Sequence, residues 1–417
     1  MLRILHTSDW HLGQFFIGKS REAEHRAFFA WLCQTIRQRQ IDVLLVAGDI
    51  FDTTTPPSYA RELYHQLIVD LQPLGVQLVL LGGNHDSVAV LNESAELLRC
   101  LNTTVVPGYV SDPAQHLLRL KNRDGEVAAV LAAVPFLRPR DLSQRADFRS
   151  SSGVDAGDKQ LQLQQQISLV YQELYQAALS DATVLSPDKP LPVIATGHLT
   201  TVGASSTESV REIYIGTLDA FAASGFPPFA YVALGHIHQA QKVGGSDHIR
   251  YSGAPLALSF DEARQQKYCL EVTLTGGTVA VEPLLLPRFQ PLCSVKSDLA
   301  SLPALLAAEL QALADGQRLW LELVLIGDSA LLSDVQIQLE QLLAPLPVDL
   351  LRLRRERPAA AAHISDSGLS LQELTPADVF AARLVQEDLT DELQTRLTQL
   401  HQQALALLQQ AESEEQH

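Results

Sequence analysis

Aspartate, asparagine and histidine recur in five short motifs, each of which directly follows a run of apolar residues. In chain order the motifs are Asp9-x-His11, Gly48-Asp49-x-x-Asp52, Gly83-Asn84-His85-Asp86, Gly197-His198 and Gly235-His236-x-His238. Carboxylate, amide oxygen and imidazole together suit Mn²⁺, Fe²⁺ or Zn²⁺ better than Ca²⁺, and the absence of cysteine from the motifs argues against a structural zinc site. This set is too large for one ion. Two ions ~3.5–4 Å apart, bridged by one carboxylate, would use all of it and would bind and attack a phosphate.

Each motif taken alone has a more ordinary explanation. A single Gly-His or Gly-Asp after a strand is more often a turn, and Asn84 alone would fit a left-handed turn position. His85 alone would be a partly exposed loop histidine. Five such motifs in order, all at strand ends, favour a metal centre over five unrelated turns.

These motifs need strands whose carboxyl ends meet at one edge. The apolar run Val43–Val46, followed by Ala47 and Gly48, predicts a buried strand that delivers Asp49 at its carboxyl end, where ligands sit in open α/β sheets. Strands near Leu2, Val43 and Val76 alternate with helices, which indicates a parallel sheet. Two later strands end at Gly197 and Gly235 and indicate a second sheet. Helices are predicted from a cap at Ser20 and over residues 56–72, 88–101 and 160–179.

The expected fold is therefore an α/β/β/α sandwich over residues 1–290. From residue 291 to 357 the pattern restarts as a small β-α-β-α-β unit, expected to form a capping domain. Residues 358–370 are rich in Ala, Ser and Gly and predict a linker. Residues 371–417 predict a helix-loop-helix segment that docks a partner.

The last predicted helix carries an apolar seam. Its residues follow strict 4-3-4-3-4 spacing, which is typical of a surface for another helix, and they are Leu393, Leu397, Leu400, Ala404, Leu407 and Ala411. The ordinary alternative is a stripe that packs into the core of the same chain. The preceding linker and the surrounding charge favour docking on a partner.

Composition limits the classes of protein that fit. The formal charge of −17 argues against broad, passive adhesion to nucleic acid. No apolar run reaches the ~20 residues that a membrane span needs, so no membrane association is expected. The four cysteines are far apart and show no Cys-x-x-Cys spacing, which is typical of reduced thiols in a cytoplasmic protein.

Two pairs of basic residues lie in predicted loops beside the motif-bearing strands. They are Lys19 with Arg21 and Arg138 with Arg140. Either pair would be able to contact DNA phosphates, although solvated surface is the default expectation for such pairs.

Longer strings around the motifs resemble one family. Residues 7–13 (Thr-Ser-Asp-Trp-His-Leu-Gly), 48–53, 56–60, 197–204 and 214–219 (Tyr-Ile-Gly-Thr-Leu-Asp) are similar to the nuclease subunits of bacterial SbcCD complexes, within the calcineurin-like metallophosphoesterases. The short motifs indicate only the superfamily, whereas the longer strings point to the nuclease subunits. The last third of the chain resembles them in layout rather than in motif.

This resemblance implies a role for each residue. Asp9, His11, Asp49 and His238 would hold one metal ion, and Asp49, Asn84, His198 and His236 the other, with Mn²⁺ as the expected ion. His85 would contact the scissile phosphate or the leaving oxygen. Asp52 stands where related phosphatases place the acid that orients this histidine, which would favour the imidazolium form.

The resemblance also implies the activity and the partners. These are double-strand exonuclease and hairpin or single-strand endonuclease activity on DNA, in a homodimer within a heterotetramer, with the helical segment on the coiled-coil root of an SbcC-like ATPase. Two alternatives remain open: an enzyme acting on small phosphoesters, and an inactive scaffold. Serine/threonine phosphatases carry Arg-Gly after the Gly-Asp-x-x-Asp string, where this chain has Thr53-Thr54. This difference weakens the phosphatase form of the first alternative, which is a phosphodiesterase or phosphatase acting on small phosphoesters.

Overall fold

The computed structural model describes residues 1–143, 156–210, 220–326, 332–355, 380 and 396–401. Contacts divide the chain into a unit of residues 1–354 and a unit of residues 355–417, and each is described by itself. The predicted linker and the string at residues 214–219 lie outside the described residues. The domain boundaries at residues 290, 357 and 370 stay predictions.

Strands and helices alternate through most of the first unit. The strands are β1 Leu2–Thr7, β2 Phe15–Phe16, β3 Lys19–Ser20, β4 Val43–Val46, β5 Gln77–Leu81, β6 Thr103–Val106, β7 Leu117–Lys121, β8 Val127–Ala132, β9 Val193–His198, β10 Tyr231–Gly235, β11 Gln241–Lys242, β12 Ile249–Tyr251, β13 Tyr268–Thr275, β14 Thr278–Leu285, β15 Leu292–Ser297, β16 Leu319–Leu325 and β17 Val348–Arg355. The α-helices are α1 Glu22–Arg39, α2 Ser58–Leu71, α3 Val88–Asn92, α4 Ala95–Arg99, α5 Pro139–Ser143, α6 Ala156–Leu185, α7 Leu302–Gln311 and α8 Leu332–Leu343.

Two six-stranded sheets form the body of this unit. The first has the order β14-β13-β1-β4-β5-β6, in which β1, β4, β5 and β6 are parallel. The second has the order β11-β12-β10-β9-β8-β7, in which β12, β10, β9 and β8 are parallel. Both sheets therefore present the carboxyl ends of several strands at one edge, as the motifs require.

The two sheets pack face to face, and helices cover their outer faces. Ile4 and Leu45 from the first sheet share a buried apolar cluster with Ile194 and Ala233 from the second. Helices α1 and α2 pack on the outside of the first sheet, and α6 packs on the outside of the second. The predicted α/β/β/α sandwich is confirmed.

A three-stranded sheet in the order β15-β16-β17, with α7 and α8, forms the small domain. Its aromatic contact with the sandwich runs through Phe16, whose ring stacks on Trp320 at 5.7 Å and meets Phe260 edge-on at 5.1 Å. The β-α-β-α-β order predicted for this region is the one observed.

Helix boundaries differ from the sequence predictions in three places. The helix predicted over residues 88–101 is two short helices, α3 and α4, and Ser94 stands at the N-cap position of α4 without a side-chain capping hydrogen bond. The helix predicted from residue 160 is longer and is α6. Ser20 lies in β3 rather than capping α1; its hydroxyl accepts a hydrogen bond from the Glu22 amide at 3.3 Å.

Arg21 does not lie on the surface, so its predicted contact with DNA phosphate is wrong. Its guanidinium is 1% exposed and donates two hydrogen bonds to Glu24, at 2.6 and 2.5 Å. It also donates to the Ala257 carbonyl at 2.7 Å and lies 5.2 Å from the centre of the Phe16 ring and 5.9 Å from that of Trp320. A charge taken out of water needs such partners, and Arg21 finds them where the small domain meets the sandwich.

The second unit is described only in part. Arg396 to His401 are helical, and the rings of Phe380 and His401 stack at 3.9 Å. Of the predicted seam, Leu397 is half-buried and Leu400 is 54% exposed, whereas Leu393, Ala404, Leu407 and Ala411 lie outside the described residues.

None of the helices in the described part of the chain has the length and apolarity that crossing a membrane requires.

We expect Arg21→Gln to destabilise the protein far more than Arg26→Gln. Removing one member of a buried ion pair costs about 3–5 kcal/mol, because Glu24 would stay buried without its partner. Arg26 is 53% exposed and pairs with Glu22 at 2.7 Å, and loss of an exposed pair costs at most about 1 kcal/mol. Urea unfolding measures both free energies. Equal losses would contradict the special role of the buried pair.

Candidate metal centre

The five motifs meet where the carboxyl ends of strands from the two sheets come together. The Asp9 amide, after β1, donates to the Gly48 carbonyl at 3.0 Å. The carboxylate of Asp9 accepts a hydrogen bond from the His236 amide, after β10, at 2.9 Å. The loops of the two sheets are therefore joined by hydrogen bonds inside the centre itself.

Four of the predicted ligands have a left-handed backbone. The φ angles are 54° at Asp9, 49° at His11, 51° at Asp49 and 95° at His236. This region is unfavourable for residues other than glycine and concentrates at functional sites, where the surrounding structure holds the strain. The chain turns sharply after β1, β4 and β10 and directs these side chains into one buried space.

The first cluster consists of Asp9, His11 and His238. One ligand atom from each lies within 4.8 Å of the others, and all three residues are buried. The His11 and His238 rings pack edge to face, with 5.2 Å between their centres. One carboxylate and two imidazoles at this spacing form a donor set for a borderline divalent ion.

The second cluster consists of Asp49, His198 and His236, again within 4.8 Å. The Asn84 side-chain oxygen lies 2.8 Å from His198 Nε2 and 3.2 Å from His236 Nδ1. The amide oxygen is thus in the second cluster, with the residues that the resemblance assigns to one ion.

Asp49 lies between the two clusters. Its Oδ2 is 3.2 Å from His198 Nε2 in the second cluster and 3.7 Å from His11 Nε2 in the first. Its Oδ1 accepts a hydrogen bond from the His85 amide at 2.9 Å. A carboxylate in this position is the one that could bridge two ions.

Glycine is required beside Asp49 because the backbone approaches so closely. A Cβ at Gly83 would lie 2.1 Å from Asp49 Oδ1, and a Cβ at Gly48, where φ is +95°, would lie 2.2 Å from His198 Nδ1. Any side chain at either position would displace a predicted ligand.

Two of the predicted histidine ligands have a buried ring nitrogen without a partner among the described residues, as is expected of a site for cations. His11 Nε2 and His236 Nε2 have almost no solvent exposure and no hydrogen-bond partner. A buried polar atom without a partner costs about 1–3 kcal/mol. His198 Nδ1 donates to the Ala47 carbonyl at 2.9 Å, so its Nε2 is the nitrogen in the cluster. The donor set fits two divalent ions.

The neighbouring imidazoles hold Asp49 ionised. Burial raises the pKa of Asp49, but His198, His11 and His85 outweigh it and hold that pKa well below its usual range. Burial lowers the pKa of His198, but the Asp49 carboxylate outweighs it and raises the pKa to about 9. Burial and the neighbouring His198 lower the pKa of His236. Metal binding at His198 would therefore release a proton and would be stronger at higher pH.

His85 and Asp52 lie together, but the contact differs from the predicted dyad. His85 Nδ1 donates to the backbone carbonyl of Asp52 at 2.7 Å, whereas the Asp52 carboxylate lies 3.2 Å from His11 Nδ1. One ligand atom each from His11, Asp52 and His85 lies within 4.8 Å of the others. The backbone carbonyl of Asp52 therefore orients His85, and the Asp52 carboxylate orients His11, a predicted metal ligand.

Asp86 is a residue of the site to which the motif pattern assigned no role. Its buried carboxylate accepts hydrogen bonds from the amides of Ile50 at 3.1 Å, Phe51 at 2.9 Å and Gly83 at 2.8 Å. Burial and the adjacent Asp49 raise the pKa of Asp86 to about 6. This side chain ties the loop after β4 to the loop after β5, and an acid that follows Gly-Asn-His directly was the available signal.

Glu262 and Lys267 also escaped the sequence analysis. They form a buried ion pair of 2.6 Å, and Glu262 Oε1 lies 3.4 Å from His238 Nδ1. No strand-end motif surrounds either residue, so the sequence offered no signal for them.

The three remaining basic residues differ in exposure. Lys19 is 45% exposed and pairs with Asp349 of the small domain at 3.1 Å. Arg140 is 73% exposed and lies 3.6 Å from Asp141. Arg138 is half-buried, donates to the Asp86 carbonyl at 3.1 Å and lies over the Phe136 ring at 5.5 Å. Arg138 is thus tied to the loop that carries Asn84 and His85.

Two family models match the chain. Residues 2–240 match the model described as calcineurin-like phosphoesterase. Residues 288–388 match one described as type 5 capsule protein repressor C-terminal domain. The first match contains all seven predicted metal ligands.

Several curated relatives, all D subunits of SbcCD nucleases, are similar over most of their length. The relative from Escherichia coli strain K12 is 48% identical over 96% of both chains. The relative from Rhodobacter capsulatus is 36% identical over 91% of this chain and 94% of its own. The relative from Bacillus subtilis is 31% identical over 71% of this chain and 72% of its own.

We expect Asp49→Ala to lose both metal ions, because one carboxylate lies between both clusters. Elemental analysis after dialysis against Mn²⁺ measures the number of ions per chain. Asp247→Ala is the matched control, since Asp247 is 80% exposed and pairs with Lys242 at the surface. Retention of two ions by Asp49→Ala would show that Asp49 is not the bridging ligand.

Proposed function

The chain belongs to the family of SbcCD nuclease D subunits, within the calcineurin-like phosphoesterases, and on this premise we propose that it is a metal-dependent DNA phosphodiesterase. The observation that carries the proposal is the position of Asp49 between two buried donor clusters, with His85 beside them. We propose that its activities are double-strand exonuclease and hairpin or single-strand endonuclease cleavage.

We assign the ligands by cluster. Asp9, His11, Asp49 and His238 would hold one ion, and Asp49, Asn84, His198 and His236 the other. When bound, two such ions neutralise charge on phosphate oxygens and make water a better nucleophile at neutral pH. Carboxylate, amide and imidazole donors without thiolate fit Mn²⁺, Fe²⁺ or Zn²⁺, and Mn²⁺ is proposed among these because the family resemblance implies it.

His85 is the proposed general acid. Because its Nδ1 donates to the Asp52 carbonyl at 2.7 Å, Nε2 is the ring nitrogen assigned to the scissile phosphate. The imidazolium form would donate its Nε2 proton to the leaving oxygen. His85 also packs against His11, with 4.7 Å between ring centres, which supports a role beside the first ion.

Arg138 is the proposed DNA contact among the predicted basic residues. It is fixed to the Asp86 carbonyl and to the Phe136 ring, so little further ordering is needed when it meets a phosphate. Lys19 and Arg140 are proposed as outer phosphate contacts. Such contacts position the duplex without reading its sequence.

The proposed partner of the second unit is an SbcC-like coiled-coil ATPase, in a heterotetramer that contains two copies of this chain. The seam from Leu393 to Ala411 supplies the apolar surface. The exposure of Leu400 in its described helical residues supports this proposal. A cytoplasmic location is proposed from the cysteine pattern alone.

One assay separates this proposal from its alternatives. The purified chain is incubated with Mn²⁺ or with EDTA on linear duplex DNA, hairpin DNA and a generic phosphodiester. Cleavage of both DNA substrates that EDTA abolishes is expected. Cleavage of the generic diester alone would favour an enzyme of small phosphoesters, and no cleavage of any substrate by metal-loaded protein would favour the scaffold.

We expect His85→Gln to keep both ions and to bind DNA, but to cleave it about 10²–10⁴-fold more slowly, because general acid help is lost. Elemental analysis, a DNA-binding titration and single-turnover cleavage measure the three quantities. His65→Gln, at an exposed position on α2, is the control. Loss of metal would make His85 a ligand, and an unchanged cleavage rate would remove its role.

We expect the double variant Leu397→Asp, Leu400→Asp to lose the coiled-coil ATPase in a pull-down while keeping cleavage of a generic diester. Burying a charge in an apolar seam without a partner is costly. Gln399→Asp adds charge at an exposed position of the same helix and should still capture the ATPase. Full recovery of the complex by the double variant would place the interface elsewhere.

A further inference from the structure

His238 has a buried charged neighbour that lies outside the five motifs. Glu262 is fully buried, with 0% exposure, in the turn that precedes β13. Its Oε1 accepts hydrogen bonds from the hydroxyls of Thr207, at 2.8 Å, and Ser209. Its Oε2 accepts from the Leu258 amide at 3.1 Å and from Lys267 Nζ at 2.6 Å. The Ser259 hydroxyl adds a longer hydrogen bond of 3.4 Å to Oε1, so five donors hold this carboxylate.

The hydrogen bonds around Ser209 determine which nitrogen of His238 carries a proton. A carboxylate accepts and does not donate, so the Ser209 hydroxyl gives its proton to Glu262. The Ser209 oxygen lies 2.7 Å from His238 Nδ1 and accepts there. His238 Nδ1 therefore carries the hydrogen, and in the neutral ring Nε2 holds the lone pair.

Lys267 completes the arrangement. It is 8% exposed, and besides pairing with Glu262 it donates to the His238 backbone carbonyl at 3.0 Å. The ammonium is a charged partner for the buried Glu262 carboxylate and also fixes the main chain of His238. The ring and the backbone of one predicted ligand are thus both held by one buried ion pair.

The predicted ligands of the second ion are oriented differently. His198 Nδ1 donates to the neutral carbonyl of Ala47, whereas His238 is linked through a hydroxyl to an anion. A carboxylate behind a ligating histidine fixes its tautomer and raises its basicity, and loss of such a partner typically costs 10–100-fold in metal affinity. The two sites therefore differ in how strongly the chain supports them.

We propose that Glu262, acting through Ser209, is a positioning residue that fixes His238 for the ion held with Asp9 and His11. This inference rests on the metal assignment proposed above. It adds that Glu262 strengthens binding of one ion and not of the other. A purely structural role of the Glu262–Lys267 pair predicts instead that both ions weaken together or that neither does.

The test is Glu262→Gln, which keeps the shape of the side chain and removes its charge. Titration of the metal-free protein with Mn²⁺ by calorimetry is expected to show one of two sites weakened about 10–100-fold, with the other unchanged. The ¹⁵N shifts of the His238 ring in the metal-free protein are expected to show Nδ1 protonated in the wild type and a mixture of tautomers in the variant. Neither readout requires DNA cleavage, so failure of the proposed nuclease activity would leave this test intact.

Glu271→Gln is the matched control. Glu271 is 7% exposed, lies on β13 and pairs with Arg39 at 3.4 Å, away from the predicted ligands. It is expected to leave both metal sites and the His238 tautomer unchanged. Wild-type affinity at both sites in Glu262→Gln, or an unchanged His238 tautomer, would overturn the proposal.

Ser209→Ala tests the link without touching the ion pair and keeps the proposal testable if Glu262→Gln does not fold. Ser209 is only half-buried, so this change is expected to leave thermal unfolding intact. The same metal site should weaken, by less than in Glu262→Gln, because Glu262 Oε1 still lies 3.4 Å from His238 Nδ1. The double variant should be no weaker than Glu262→Gln alone, and additive losses would show that the two residues act separately.

Discussion

The buried Asp49 carboxylate is the constraint on which the rest of the structure depends. A carboxylate without solvent is costly unless cations or hydrogen-bond donors surround it. Here it has the His85 amide at 2.9 Å and imidazoles from both clusters at 3.2 and 3.7 Å. Gly83 leaves room for it, Gly48 leaves room for the His198 ring beside it, and the Asp86 carboxylate joins the loops after β4 and β5. The strand order, the turn conformations and the neighbouring imidazoles all favour a carboxylate at this one position.

The predicted ligands are held in place by further residues around them. Next to the predicted ligands are backbone carbonyls, such as that of Ala47 behind His198, and buried acids, such as Glu262 behind His238. Farther out, Phe16 follows His11 by five residues and stacks on Trp320 of the small domain. A short stretch of chain thus connects a predicted ligand to the domain interface.

The sequence predicted the sandwich and the clustering of the motif residues because both follow from local rules. An apolar run predicts a buried strand, and a polar motif at its end indicates a ligand near a sheet edge. The buried position of Arg21 and the partners of Glu262 could not be predicted in this way. Each depends on residues distant in sequence: Arg21 meets Ala257 and Trp320, and Glu262 meets Ser209 and His238. Asp52 is intermediate, since its proximity to His85 follows from the motifs but the choice of carbonyl over carboxylate does not. The metal assignments themselves stay predictions.

The origin of the donors in both sheets has a mechanical consequence. Asp9, His11, Asp49 and Asn84 follow strands of the first sheet. In the second sheet His198 is the last residue of β9, and His236 and His238 follow β10. Ions bound by such a set would link the two sheets through their shared ligands. Because a ligand that binds only the folded state adds RT ln(1 + [L]/Kd) to stability, metal supply would control how firmly the two halves of the sandwich hold together. A cell that restricts the ion would thereby loosen the fold as well as stop the chemistry.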